Sequence, residues 1–212
     1  MTVRETVLQR SWQRAWRDVG ALDANEPLLQ RLLDAYREPQ RRYHTLQHLA
    51  ECLAHLGPVR DLARSAGEVE LALWFHDAVY DVRGHDNEAR SAAWARDELL
   101  AVGLADAAGR VHDLVMATRH AARPETPDAT LLVDIDLAIL GVPAERFAQY
   151  EAQIRSEYAW VEEATFRSRR REVLTGFLAR PTIYGTAHFQ ALLEAAARAN
   201  LQRSIERLEA RP

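Results

Sequence analysis

Leu71-Ala72-Leu73-Trp74-Phe75-His76-Asp77-Ala78-Val79-Tyr80 is an apolar run broken by one imidazole and one carboxylate. Read as part of a helix from about Val69 to Tyr80, it is apolar on every face, as expected of an element enclosed by others. A carboxylate buried without a partner costs several kcal/mol or titrates away. The pair His76-Asp77 therefore calls for a nearby cation or for strong hydrogen bonds. A bound metal meets that need, and so does an arginine combined with a backbone carbonyl.

Outward from this stretch the chain reads as helix almost throughout. Leu8, Trp12, Ala15, Trp16 and Val19 form one stripe of a first helix that stops at Gly20, and a second opens at Pro27. A third starts at Tyr43-His44 and reaches Leu56 before Gly57-Pro58. Asp86 or Asn87 can cap a helix to about Val102-Gly103, and another runs from about Asp106 to His120, ahead of a loop at residues 123–128. Helices opened by Pro143, around Thr165 to Leu178 and around His188 to Leu208, complete the chain. Leu131 to Leu140 is ambiguous, because Val133, Ile135 and Leu137 alternate with Asp134 and Asp136 while the ending at Gly141 suits a helix, which is the reading adopted. The expected class is all-α: one domain over residues 1–212, with a motif-bearing core at about 40–141 and helices of 142–212 packed on it.

Composition narrows the function classes. With 212 residues, 48% hydrophobic and 27% charged, the chain has enough apolar surface to fold by itself. A formal charge of -4 and a sequence pI of about 6.1 argue against general electrostatic binding to a nucleic acid polymer and leave a small substrate open. All 27 basic residues are arginine, which suits phosphate oxygens but is also what a genomic bias would produce. The single cysteine, Cys52, excludes an internal disulfide and a cysteine-based zinc knuckle. Without an apolar leader in Met1 to Thr6, and with no run of about 18 apolar residues, the expectation is a cytoplasmic protein that does not enter the membrane.

Two further segments carry polar groups into apolar sequence. In the helix starting at Tyr43, His44 and His48 stand four residues apart and so share a face, opposite the stripe Leu46, Leu49, Leu53 and Leu56. Glu51 and His55 fall on the same polar face, which also suits a solvated surface. In Leu131-Leu132-Val133-Asp134-Ile135-Asp136-Leu137 two carboxylates again need compensation. At about 100° per residue they point about 200° apart in a helix, so only one can face a shared site. Asp136 is preferred, with Asp134 as the alternative. Of the other His-Asp pairs, His85-Asp86 lies in a turn where Asp86 can cap, and His112-Asp113 leaves Asp113 solvated.

The order His48, His76-Asp77, then a late aspartate resembles the HD-domain superfamily of metal-dependent phosphohydrolases. Tyr43-His44-Thr45-Leu46-Gln47-His48 is similar to the Tyr-His-Asn-x-x-His segment of cyclic-nucleotide phosphodiesterases of that superfamily. Phe75 to Tyr80, Asp86-Asn87-Glu88 and Met116-Ala117-Thr118-Arg119-His120 resemble a branch of predicted bacterial HD phosphohydrolases, and Asp134-Ile135-Asp136-Leu137 is similar to the closing Asp-Ala-Asp-x-Leu motif. The resemblance implies a divalent ion held by His48, His76, Asp77 and Asp136, with His44 protonating the leaving group. The chain departs from the phosphodiesterases in lacking their additional histidine after the pair, where Asp81 and Gly84-His85 stand, which speaks against a second metal.

Two imidazoles and two carboxylates suit Mn, Fe, Co, Ni, Zn or Mg, with positions left for water and substrate. The expected reaction is hydrolysis of a small phosphorylated substrate by a metal-activated water, with Asp77 and His44 catalytic. Arg41, Arg42, Asn87, Arg119 and His120 are candidate substrate contacts, each with a structural or solvated role as the simpler use. Rival readings are a di-iron oxygenase recruiting His120 and His85, and a non-catalytic nucleotide-binding regulator. The last helix, Ala187 to Ala210, allows homodimer packing as readily as packing on its own domain.

Overall fold

Helix α1 (Val3–Asp18) buries the expected stripe of Leu8, Trp12, Ala15 and Trp16. It ends where Gly20 adopts a φ of +88°, allowing the Ala21 N–H to turn back to the Trp16 carbonyl. The computed structural model describes residues 3–210, with side chains from Thr6. Met1 and Thr2, part of the amino terminus read above for a leader, lie outside the described residues, as do Arg211 and Pro212. Helix α2 (Glu26–Ala35) opens at Asn25, whose side chain accepts from the Leu28 N–H, with Pro27 in its first turn.

Helix α3 (Leu46–Leu56) is capped by Thr45 and continues into a 3-10 helix, Gly57–Leu62. It therefore starts later than expected, and His44 precedes the cap instead of sharing a helical face with His48. Helices α4 (Ala66–Phe75), α5 (Asn87–Ala101), α6 (Ala105–Ala117) and α7 (Pro127–Asp136) follow. The ambiguous stretch is helical, with α7 passing into a second 3-10 helix, Leu137–Gly141. Among the described residues there is no strand. Asp86 occupies the cap position of α5 but makes no side-chain capping bond.

The chain divides into two compact units, Met1–Asp136 and Leu137–Pro212. Every candidate site residue lies in the first. Its axis is α4, buried at each position from Gly67 to Phe75 and packed against α1, α3, α5, α6 and α7. Gly67 is required by the close approach of α1, since a Cβ there would lie 2.8 Å from that of Asp18. Trp12 fixes the same contact from the other side, its ring edge-on to Trp16 and Trp74 at 5.4 and 5.1 Å.

Helix α4 ends five residues short of the expected Tyr80, and the reason is competition for its last carbonyls. The His76 ring Nδ1 takes the Leu73 carbonyl at 2.7 Å, the Tyr36 hydroxyl donates to that of Trp74 at 3.2 Å, and the Ala78 N–H closes a turn on that of Phe75 at 2.9 Å. With those acceptors engaged otherwise, the i to i+4 ladder does not continue through Asp77.

In the second unit, α8 (Ala144–Glu157), α9 (Glu163–Leu178) and α10 (Ala187–Glu209) follow the 3-10 turn. Helix α10 packs on that turn and on α9. Gly141 permits the approach, because a Cβ there would lie 2.6 Å from that of Leu193, and the Asn200 amide donates to the Leu140 and Val142 carbonyls at 2.8 and 2.9 Å. Among the described residues no helix is long and apolar enough to cross a membrane.

Glu70 is a buried carboxylate on α4 that the apolar reading of this helix passes over. It is fully buried, accepting from the Ser11 hydroxyl at 2.6 Å and from the guanidinium groups of Arg14 and Arg60. Glu70→Ala should leave two arginines facing an apolar void and lower stability by about 2–3 kcal/mol. That is less than the ~3–5 kcal/mol of a fully buried pair, because both arginines reach solvent. Urea unfolding measures it, and a change below about 0.5 kcal/mol would contradict the ion cluster as a structural pin.

Candidate metal centre

Three helix termini deliver the polar groups. Thr45 accepts from the Gln47 N–H and so sets the start of α3, placing His48 in the first turn with only 2% of its surface exposed. His76 stands at the frayed end of α4, also 2% exposed, with Asp77 immediately after it. Asp136 is the last residue of α7.

Their donor atoms converge. His48 Nε2 lies 3.1 Å from His76 Nε2, 3.5 Å from Asp77 Oδ2 and 3.3 Å from Asp136 Oδ1. His76 Nε2 lies 3.1 Å from Asp77 Oδ2 and 3.6 Å from Asp136 Oδ1. Donors about 2.1 Å from a shared ion stand about 3.0 Å apart at right angles and about 3.4 Å apart at the tetrahedral angle. The observed separations fall in that range, and His48, Cys52, His76 and Asp136, whose ligand atoms lie within 4.8 Å of one another, form a group that could hold a metal ion; Asp77 is not of that group, although its Oδ2 lies against both imidazole nitrogens.

The outer ring nitrogens are set for that use. His76 Nδ1 donates to the Leu73 carbonyl, which leaves its Nε2 a lone pair for the shared point whenever the ring is neutral, and His48 Nδ1 is 2.9 Å from the Tyr43 hydroxyl, which allows the same of His48 when Nδ1 carries the proton. Asp136 uses its second oxygen for His120, whose Nε2 lies 3.0 Å from Oδ2. His120 reaches it from a left-handed backbone conformation, φ 53°, just past the end of α6.

Charge follows this geometry. Burial alone would depress the His76 imidazolium, but the Asp77 carboxylate at hydrogen-bond distance, together with Asp136, raises its pKa from 6.5 to about 9. Burial would likewise raise Asp77, yet the His76, His44 and His48 rings hold it well below the usual carboxylate range. For Asp136 the bonds to His120 and His48 outweigh burial in the same direction. Protons thus do in the metal-free chain what a cation does in a loaded one.

The remaining candidates are placed as follows. The His44 ring stacks on Tyr80 at 4.1 Å and stands 6.0 Å from the His48 ring, brought there by the turn before α3 and not by helical periodicity. Asp134 is buried but contributes no donor to the metal-binding group. Arg42 and Arg119 are exposed. Both ends of the Asn87 amide are engaged by the Asp81 backbone, closing the 81–87 loop instead of facing a ligand. Arg41 is turned inward, with four of its N–H groups on Glu38 and on three backbone carbonyls, an arrangement unlike the phosphate clamp expected of it.

Two members of the site were not singled out from sequence. Cys52, one helical turn after His48, brings its sulfur to 3.7 and 3.8 Å from the two His48 nitrogens, and burial pushes its thiol pKa up. The signal for it was its i+4 spacing from His48. Tyr43 opens the Tyr43 to His48 segment quoted above, which assigns it no role of its own.

Comparison of the chain with protein-family models, with curated proteins and with solved structures finds no match. The convergence of donors is therefore the ground on which any function has to be argued.

Two outcomes follow from the electrostatics and the orienting bonds. The stabilising contributions of Asp77 and Asp136 are present above their ordinary pKa of 3.8 and lost as pH falls below it. That of His76 is complete below 6.5 and lost as pH rises through about 9. The melting temperature of the chelator-treated chain should therefore be highest between pH 4 and 6.5 and decline toward pH 9; a flat profile over that upper range would count against a protonated His76 between the carboxylates. Tyr43→Phe should weaken uptake of Zn2+ by about 10–100-fold, as loss of an orienting partner typically does, when measured by competition with a chromophoric chelator. Unchanged affinity would show that the hydroxyl does not orient His48.

Proposed function

We propose that the chain is a divalent-metal-dependent phosphohydrolase of HD type, acting on a small phosphoester. The observation that carries this is the convergence of His48, His76, Asp77 and Asp136 from three separate segments, in the chain order that the motifs suggested. The ion would be held by these four residues. When bound, it supplies Lewis-acid polarisation of a phosphoryl oxygen and an acidified water.

The chain's own groups do the rest. The four ligands enclose the site on its inner side, where α3, α4 and α7 are apolar, so charge interactions there are weakly screened. His44, whose ring stacks on Tyr80, would serve as the general acid, donating a ring proton to the departing alkoxide. Arg42 and Arg119, both exposed, would be the guanidinium groups to meet a phosphate. Mn, Fe, Co, Ni, Zn and Mg all remain compatible with two imidazoles and two carboxylates.

A second reading draws on His120. Its Nε2 beside the outer oxygen of Asp136 adds a third imidazole next to a carboxylate that could bridge two ions, the donor set of a di-iron oxygenase. Metal stoichiometry and the need for oxygen separate the two readings.

The test is turnover of a phosphoester panel under nitrogen, with metal content measured on the same samples. Wild type should bind about one ion per chain and hydrolyse at least one phosphoester. His76→Ala should lose both the ion and turnover while keeping its helical circular dichroism. His44→Ala should keep the ion and lower kcat by about 10²–10⁴ on a poor leaving group, with a smaller effect on a nitrophenyl ester. A wild-type chain that takes up no divalent ion under any loading condition ends the proposal.

A further inference from the structure

Arg41 has no exposed side-chain surface, although it lies at the edge of a polar site. Its Nε donates to Glu38 Oε2 at 3.0 Å. One terminal nitrogen donates to the His44 carbonyl at 3.1 Å and to the Asp77 carbonyl at 2.6 Å, and the other donates to the Ala78 carbonyl at 3.0 Å. The guanidinium is packed between the rings of Tyr36 and Tyr80, 5.2 and 5.4 Å from their centroids, which prevents it from swinging out.

The acceptors are informative. Past Phe75 the helical ladder is broken, and Asp77 and Ala78 present carbonyls that no later N–H of the helix satisfies. One planar fork satisfies both, and the same fork holds the carbonyl of His44, which precedes α3. A cation at the end of α4 also faces the negative end of the helix dipole. Two segments far apart in sequence are thereby tied at a single group: one carrying Asp77, the other leading into His44 and His48. Lysine cannot reproduce this, because a single ammonium centre does not span three diverging carbonyls.

We infer that Arg41 is a positioning residue of the metal centre, fixing the backbone of Asp77 relative to that of His44 so that the donors meet at one point. This rests on the metal-binding reading above.

The test uses the full chain and Zn2+ alone, with the dissociation constant read by chelator competition, the Co2+ visible spectrum as a report on ligand geometry, and the melting temperature of the metal-free chain as a report on folding. Arg41→Lys and Arg41→Met should each weaken Zn2+ binding by about tenfold or more and alter the Co2+ spectrum. In Arg41→Ala, millimolar methylguanidinium should recover part of the lost affinity and of the wild-type Co2+ spectrum with the melting temperature of the metal-free chain unchanged, which a purely structural role would not produce. If Arg41→Met fails to fold, Arg41→Lys, which keeps the charge and most of the stem, supplies the comparison. Folded variants that bind Zn2+ with wild-type affinity and give a wild-type Co2+ spectrum overturn the inference while leaving the metal centre standing. A wild-type chain that binds neither Zn2+ nor Co2+ overturns the metal reading itself.

Discussion

Two carboxylates and two imidazoles aimed at one point, at the edge of an apolar interior, cannot be left without positive charge. His48 and His76 are almost fully buried, and the near oxygens of Asp77 and Asp136 lie within 3.6 Å of their ring nitrogens. Without a cation, the arrangement binds protons tightly enough to hold His76 charged and both aspartates ionised. A divalent ion held there would neutralise the same carboxylates with no need for a proton on the imidazoles. Much of the first unit can be understood as what is required to keep these groups from relaxing apart.

That requirement explains how α4 is built and where it stops. The helix is enclosed by five others, so its direction is set by packing on Trp12, Trp16 and the close approach at Gly67. A continuous helix would have carried Asp77 onward in the i to i+4 ladder. Instead the His76 ring, the Tyr36 hydroxyl and the Arg41 guanidinium take the terminal carbonyls, and the backbone turns at the residues that supply the donors. The same group of bonds that ends the helix orients the site. The His76 ring, the Tyr36 hydroxyl and the Arg41 guanidinium are each satisfied by these carbonyls, and removing one would leave its carbonyl without that partner.

Much of this is legible in the amino-acid sequence. The all-apolar run around His76-Asp77 marked α4 as central, and the interruption of apolar sequence by His48, His76, Asp77 and Asp136 marked the groups that meet. Helical phase separated Asp134 from Asp136, and α7 places Asp136 at its end, among the donors. Periodicity misled for His44: it assumed that α3 began at Tyr43, whereas Thr45 is the cap and the imidazoles approach each other through a turn. For Arg41 and Asn87 the structural use that the sequence also allows is the one their hydrogen bonds display. Their residue types suit a ligand, but backbone carbonyls and amides left open by turns compete for the same donors and acceptors, and such turns are not encoded by spacing.

What the amino-acid sequence determined by itself was the class of the fold and the inventory of chemistry: helices from the recurrence of apolar residues every three to four positions, and ligand-type side chains where that recurrence is broken. Both are local properties, set by the helical repeat and by the free energy of burying charge. The tertiary structure alone decided that three distant segments end at the same point, that Cys52 and Tyr43 join them, and that Arg41 faces inward. Those outcomes depend on which loose backbone groups and which rings come within hydrogen-bonding reach once α3, α4 and α7 have packed, and no pattern along a single segment carries that information.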